Sequence, residues 1–202
     1  MSLRKWLILF VMTIAIGAAA SAVVGPLLQL SDPGFRNVGA RGWIYNVAMM
    51  ALSGLTFGAF SHMGFFAYLT LNYIARSIFR RPYLWVAFQG FCTVFILAEV
   101  AVMTYDTDFP DAVFWAVPLA LTAASVIVAW WKVRETTSGS WVPTLFFMIG
   151  CTVLETVPAF RTGRLAALLF TLIPLYACNV YQIMQLHRIL RPSRAAEAAA
   201  ES

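Results

Sequence analysis

Apolar residues run in long blocks along this chain, and the breaks between the blocks are where the charges sit. Six stretches hold almost no Asp, Glu, Lys or Arg: residues 6–30, 43–75, 82–105, 112–131, 140–158 and 165–187. A bilayer core is about 30 Å thick and asks for roughly 20 mostly apolar residues per spanning helix. Each block meets that length or comes within a residue or two of it. None alternates apolar and polar residues in the manner of a barrel strand. Helices are the remaining way to pair every backbone N–H and C=O inside lipid. The pattern predicts an all-α, polytopic membrane protein, a bundle of six transmembrane helices forming one integral domain over residues 1–202.

Composition strengthens this expectation. Hydrophobic residues make up 61% of the 202-residue chain and charged residues 11%, against about half and about a quarter in an ordinary soluble domain. The net charge of +5 takes its meaning from where the cations fall. With the N-terminus inside, the inner segments carry Arg4, Lys5, Arg76, Arg80, Arg81, Lys132, Arg134, Arg188, Arg191 and Arg194. The outer ones carry Arg36, Arg41, Arg161 and Arg164. That bias predicts both termini in the cytoplasm, and it reads the basic charge as topology rather than nucleic-acid binding. Asp106, Asp108 and Asp111 cluster in an outer loop. Arg4-Lys5, the apolar run after them and Ala20-Ser21-Ala22 resemble a signal peptide, but the run continues through Leu28. An uncleaved first helix is therefore expected.

The short breaks leave no room for a separate soluble domain. Asp32-Pro33-Gly34 suits a turn, Pro143 suits the first turn of the fifth helix, and Arg191-Pro192 should end the sixth. Pro26, Pro118 and Pro174 should loosen helices one, four and six.

Candidate chemistry is confined to a few intramembrane residues. His62, Glu99 and Glu155 are the histidine and acidic side chains well inside the blocks, and such groups are costly enough in lipid to suggest a functional role. They could form a polar ligand or proton site between helices. Equally, a glutamate could pair with Arg161 or Arg164 and serve only the structure. A metal site has no H-x-x-E-H or C-x-x-C spacing behind it, and no cofactor is expected. Cys92, Cys151 and Cys178 fall singly inside spans and read as buried thiols. Gly54 and Gly58 form a G-x-x-x-G that Ala51 and Ser61 extend, with Gly17, Ser21 and Gly25 as a second small-residue face on the first helix. Such faces let helices approach closely, within one chain or against a partner. Arg76, Arg80, Arg81, Arg188, Arg191 and Arg194 form a candidate cytoplasmic basic surface, for a partner or for anionic lipid. Walker, nucleotide-binding, Ser-elbow and zincin motifs are absent.

The stretch Ser61-His62-Met63-Gly64-Phe65-Phe66-Ala67-Tyr68-Leu69-Thr70 resembles the central segment of the KbaA family, the KinB-signalling pathway activation proteins of endospore-forming bacteria. The start, Met1-Ser2-Leu3-Arg4-Lys5-Trp6 with a Gly/Ala-rich helix after it, is similar too. The resemblance implies a non-enzymatic membrane regulator that activates the sensor histidine kinase KinB, and with it the phosphorelay initiating sporulation. It carries no catalytic residues. Its partner would be a KinB-like kinase, beside the membrane lipid that the spans already imply, and the helix-two face of Gly54, Gly58 and His62 is the first candidate for an intramembrane contact. The alternative is a small transporter or ligand-binding bundle in which Glu99, Glu155 and His62 converge.

Overall fold

The computed structural model describes residues 3–30, 39–105, 109 and 111–190. These form six long helices: α1 (Leu3–Leu30), α2 (Ala40–Ile78), α3 (Pro82–Tyr105), α4 (Asp111–Glu135), α5 (Trp141–Phe160) and α6 (Leu165–Leu190). A 3-10 turn at Ser138–Ser140 leads into α5, with Pro143 in the first helical turn, where a missing N–H leaves no bond unmade. All six are long and apolar enough to cross a membrane. The expected turn at Asp32-Pro33-Gly34, the outer Arg36, the Asp106 and Asp108 pair, and Arg191, Pro192 and Arg194 lie outside the described residues.

Several helices outrun the apolar blocks: α1 takes in Arg4 and Lys5, α6 takes in Arg188, and α2 and α4 run furthest beyond them. α2 has 39 residues, roughly 58 Å at 1.5 Å per residue, and takes in Arg41 and Arg76. α4 continues past residue 131 to Glu135. Lys132 stays in the helix because its amine is not left unpaired: Nζ donates to the Ile183 carbonyl at 2.6 Å and lies 3.0 Å from His187 Nδ1.

The α1–α2 pair is the most intimate in the bundle. The two small-residue faces meet each other: Gly54 lies against Gly17 and Ala18, and Gly58 against Thr13 and Ile14. Thr13 and Ser21 are fully buried beside them. With no side chain on either glycine, backbone meets backbone. The rest of the core is aromatic and aliphatic, with Phe65, Phe147 and Met148 completely buried in one cluster. A second cluster joins Val100, Leu121, Ile149 and Leu168.

Cross-helix contacts fix which ends share a side. Lys5 and Leu9 of α1 border Tyr181, Gln185 and Arg188 of α6. Glu135, closing α4, is 3.6 Å from Arg188 and 3.5 Å from His187. Tyr68 of α2 donates to the Pro143 carbonyl of α5 at 3.4 Å, and Trp85 Nε1 of α3 donates to Asn72 Oδ1 at 2.8 Å. The start of α1, the ends of α2, α4 and α6, and the starts of α3 and α5 therefore lie at one end of the bundle. That end carries Arg4, Lys5, Arg76, Arg80, Arg81, Lys132, Arg134 and Arg188.

Candidate functional site

The segment Ser61–Thr70 lies in the second half of α2, and successive side chains go to different neighbours, as the 100° step of a helix requires. Ser61 faces α6. Its hydroxyl donates to Asn179 Oδ1 at 2.9 Å and accepts from Gln182 Nε2 at 3.1 Å. His62 faces α1, with its ring 5.0 Å from that of Phe10 and 4.8 Å from that of Phe66; the Trp6 ring, tilted by 31°, lies 5.2 Å from that of Phe66. Gly64 and Phe65 face α5. Cys151 Sγ approaches the Gly64 carbonyl at 3.9 Å, and Phe65 meets Phe147 edge-on at 5.7 Å.

Asn179 is the hub of the polar group that results. Besides accepting from Ser61, its Nδ2 donates to Thr152 Oγ1 at 3.0 Å and to Glu155 Oε2 at 3.1 Å. Ser61, Thr152, Asn179 and Gln182 are all completely buried. The network ties α2, α5 and α6 at the level where the helices are otherwise apolar. There the alternative to a protein partner is no partner at all. Glu155 Oε1 and Gln182 Oε1 meet no hydrogen-bond donor among the described residues. Glu155 Oε1 rests against Gly64, where any side chain would collide with it.

Of the three ionisable groups that the sequence singles out, only Glu155 enters this network. It binds Asn179 rather than Arg161 or Arg164. His62 sits in the aromatic contact with α1, and its Nδ1 has no hydrogen-bond partner among the described residues. Glu99 is half-buried on α3 and joins neither. Among the described residues no three His, Cys, Asp or Glu side chains gather closely enough to hold a metal ion. Gly54, Gly58 and His62 are covered by α1, while Ala51 is half-buried on the same helix. The cations at Arg76, Arg80, Arg81 and Arg188 are exposed.

Sequence reasoning that weighed only ionisable groups passes over Asn179, Gln182 and Thr152. The signal is there: Asn179 and Gln182 are three apart, hence on one face, in an otherwise apolar block. The α4–α6 group of Lys132, Glu135 and His187 is likewise hidden when Lys132 is taken as a loop cation.

Two crevices flank the network. A crevice of about 650 Å³ lies between α2, α5 and α6, and one of about 330 Å³ between α2, α3 and α5. Glu155, Gly64 and Ala67 border both.

Comparison with known families decides the identity of this arrangement. The family described as KbaA, KinB-signalling pathway activation in sporulation, matches residues 17–189. The chain belongs to the KbaA family. The KinB-signaling pathway activation protein of Bacillus subtilis (strain 168) is 30% identical over 183 residues, covering 88% of this chain and 92% of that one. No solved structure matches the chain. The KbaA family match takes in the whole of α2 to α5 and, in Ser61, Glu155 and Asn179, every helix that supplies the network. The family is named for activating a signalling pathway, not for an enzymatic activity.

Proposed function

We propose that this chain is an integral membrane activator of KinB signalling. It inserts as one six-helix domain with both termini in the cytoplasm and acts by protein contact, not by catalysis. The observation that carries the reading is the family match over residues 17–189 onto a bundle whose six helices are each long and apolar enough to span. Eight of the eleven described cations lie at one end, against Arg41, Arg161 and Arg164 at the other, and this bias supports the orientation, since Lys and Arg are retained on the cytoplasmic side. The partner is KinB or a component acting with it.

The geometry also favours where contact occurs. Because α1 fills the Gly54, Gly58 and His62 face, that face serves the protein's own packing, and the partner surface lies elsewhere. The exposed Arg80 and Arg81 in the bend between α2 and α3, with Arg76 and Arg188, offer a cytoplasmic contact. Arg191 and Arg194 would extend it. A contact that differs between kinase states biases the kinase by that difference alone. A transport site built on Glu99, Glu155 and His62 draws no support from the geometry, because the three side chains meet different neighbours.

The test is deletion of the gene in a strain that relies on KinB, scored by sporulation and a KinB-pathway reporter. Loss of both, restored by the intact chain and not by Arg80→Glu/Arg81→Glu made at equal abundance, is expected. Full output without the chain would remove the activator reading.

A further inference from the structure

The larger crevice beside Glu155 has the features of a ligand site rather than a packing flaw. Its volume of about 650 Å³ falls within the roughly 300–1,000 Å³ range of small-molecule pockets. Its walls are apolar almost throughout, with Phe57, Phe60 and Met63 of α2 facing Ala167 and Leu175 of α6. Phe60 and Met63 are 57% and 67% exposed, so the crevice reaches the outer, lipid-facing surface of the bundle. Its inner wall carries an acceptor without a donor. Glu155 borders the crevice with one carboxyl oxygen held by Asn179 and the other unmatched. An unmet acceptor in a low-dielectric setting is costly, and a donor arriving from the membrane relieves that cost.

We infer that this crevice binds a single-chain amphiphile dissolved in the membrane. Its head group donates a hydrogen bond to the Glu155 carboxyl, and its alkyl chain lies between α2 and α6. A small rotation of the carboxyl turns Oε1 from Gly64 into the crevice while Oε2 keeps Asn179. The head is an alcohol or an amine, the two common lipid head chemistries that offer donors without an anionic charge to be repelled by a carboxylate. Gly64 is what allows the arrangement, since a larger residue there would displace the carboxyl. Ligand and network share Glu155, so occupancy is coupled to the joint between α2, α5 and α6. The inference rests on the membrane reading above and is independent of the kinase reading.

The experiment uses the full chain in phosphatidylcholine nanodiscs, whose head groups carry no hydrogen-bond donor. The probe is hexadecanol bearing a mid-chain diazirine, crosslinked by light and mapped by mass spectrometry. Co-migration of the chain with the discs in the same sample reports membrane insertion separately. Saturable labelling of Phe60, Met63 or Leu175 is expected. Hexadecanol or hexadecylamine should suppress it, and hexadecyl methyl ether, which keeps the chain and loses the donor, should not. Ala67→Trp, which fills the crevice from an exposed position, should abolish it. Glu155→Gln, which keeps the Asn179 bond, should weaken binding about tenfold, as for loss of one charge-assisted hydrogen bond. Equal suppression by the ether means acyl chains only and overturns the proposal. So does labelling spread over all lipid-facing helices, or full affinity in Glu155→Gln.

Discussion

The α1–α2 contact makes the sharpest prediction about stability. A Cβ at Gly58 would stand 2.6 Å from Ile14 Cα and 2.9 Å from the Thr13 carbonyl oxygen. Ordinary contact needs about 3.4–4 Å, so α1 must withdraw by roughly 1 Å. Neither neighbour can yield as a flexible side chain would, because both are backbone. A gap of that size forfeits about a quarter to a half of each affected dispersion contact, and forced overpacking costs about 1–3 kcal/mol. Alanine recovers part of this through its better helix propensity, up to about 1 kcal/mol. Gly58→Ala should therefore destabilise by about 1–2 kcal/mol net. Gly90→Ala is the control: its Cβ would meet only Val142 Cγ1, at 3.7 Å, so that variant should be neutral or slightly stabilised. Gly54→Ala should resemble Gly58→Ala. The double variant should cost less than the sum, because one withdrawal of α1 relieves both clashes. Thermal unfolding in detergent measures the series, with a shift of about 2–4 °C for each kcal/mol. If Gly58→Ala melts with Gly90→Ala, the backbone-to-backbone contact is not present in solution.

Other expectations follow from the polar groups. Asn179→Ala strips partners from Ser61, Thr152 and Glu155 together. It should cost about 1–3 kcal/mol, more than Ser61→Ala, by the same unfolding assay; equal costs would mean Asn179 is not the hub. Lys132→Met leaves the α4–α6 junction without its amine bridge to Ile183 and His187. It should speed hydrogen exchange at the ends of α4 and α6 while leaving the α1–α2 pair unchanged. In a chain with Cys92, Cys151 and Cys178 replaced, a cysteine at Ser138 should react with a membrane-impermeant maleimide only after the cells are opened. One at Thr162 should react in intact cells. The reverse pattern would invert the proposed orientation.

The number and extent of the helices were legible because lipid imposes a simple demand: long runs without charge. The departures have definite causes. Arg41 and Arg76 do not stop α2, since a helix need not end where the hydrocarbon would. Lys132 does not stop α4, because a carbonyl of α6 receives its amine. The facing of residues was harder to read. In an amphipathic helix the apolar stripe declares the core side, but α2 is apolar all round, so nothing in its periodicity says that Ser61 meets α6 while His62 meets α1. The small residues were the exception, because close approach is something only they permit; Gly17 and Gly54 stood out and meet each other. Glu155 was found by its charge. Asn179, uncharged, was visible only as an amide in an apolar block, and its role depends on which three helices surround it.

If the chain raises KinB signalling from within the membrane, pathway output must follow its abundance there. The most direct measurement is the KinB-pathway reporter in a KinB-reliant strain lacking the gene and carrying it back under an inducible promoter. Output that falls on deletion and climbs with induced, membrane-fractionated protein is the predicted result. Output indifferent to the presence of the chain, at normal KinB abundance, would contradict it.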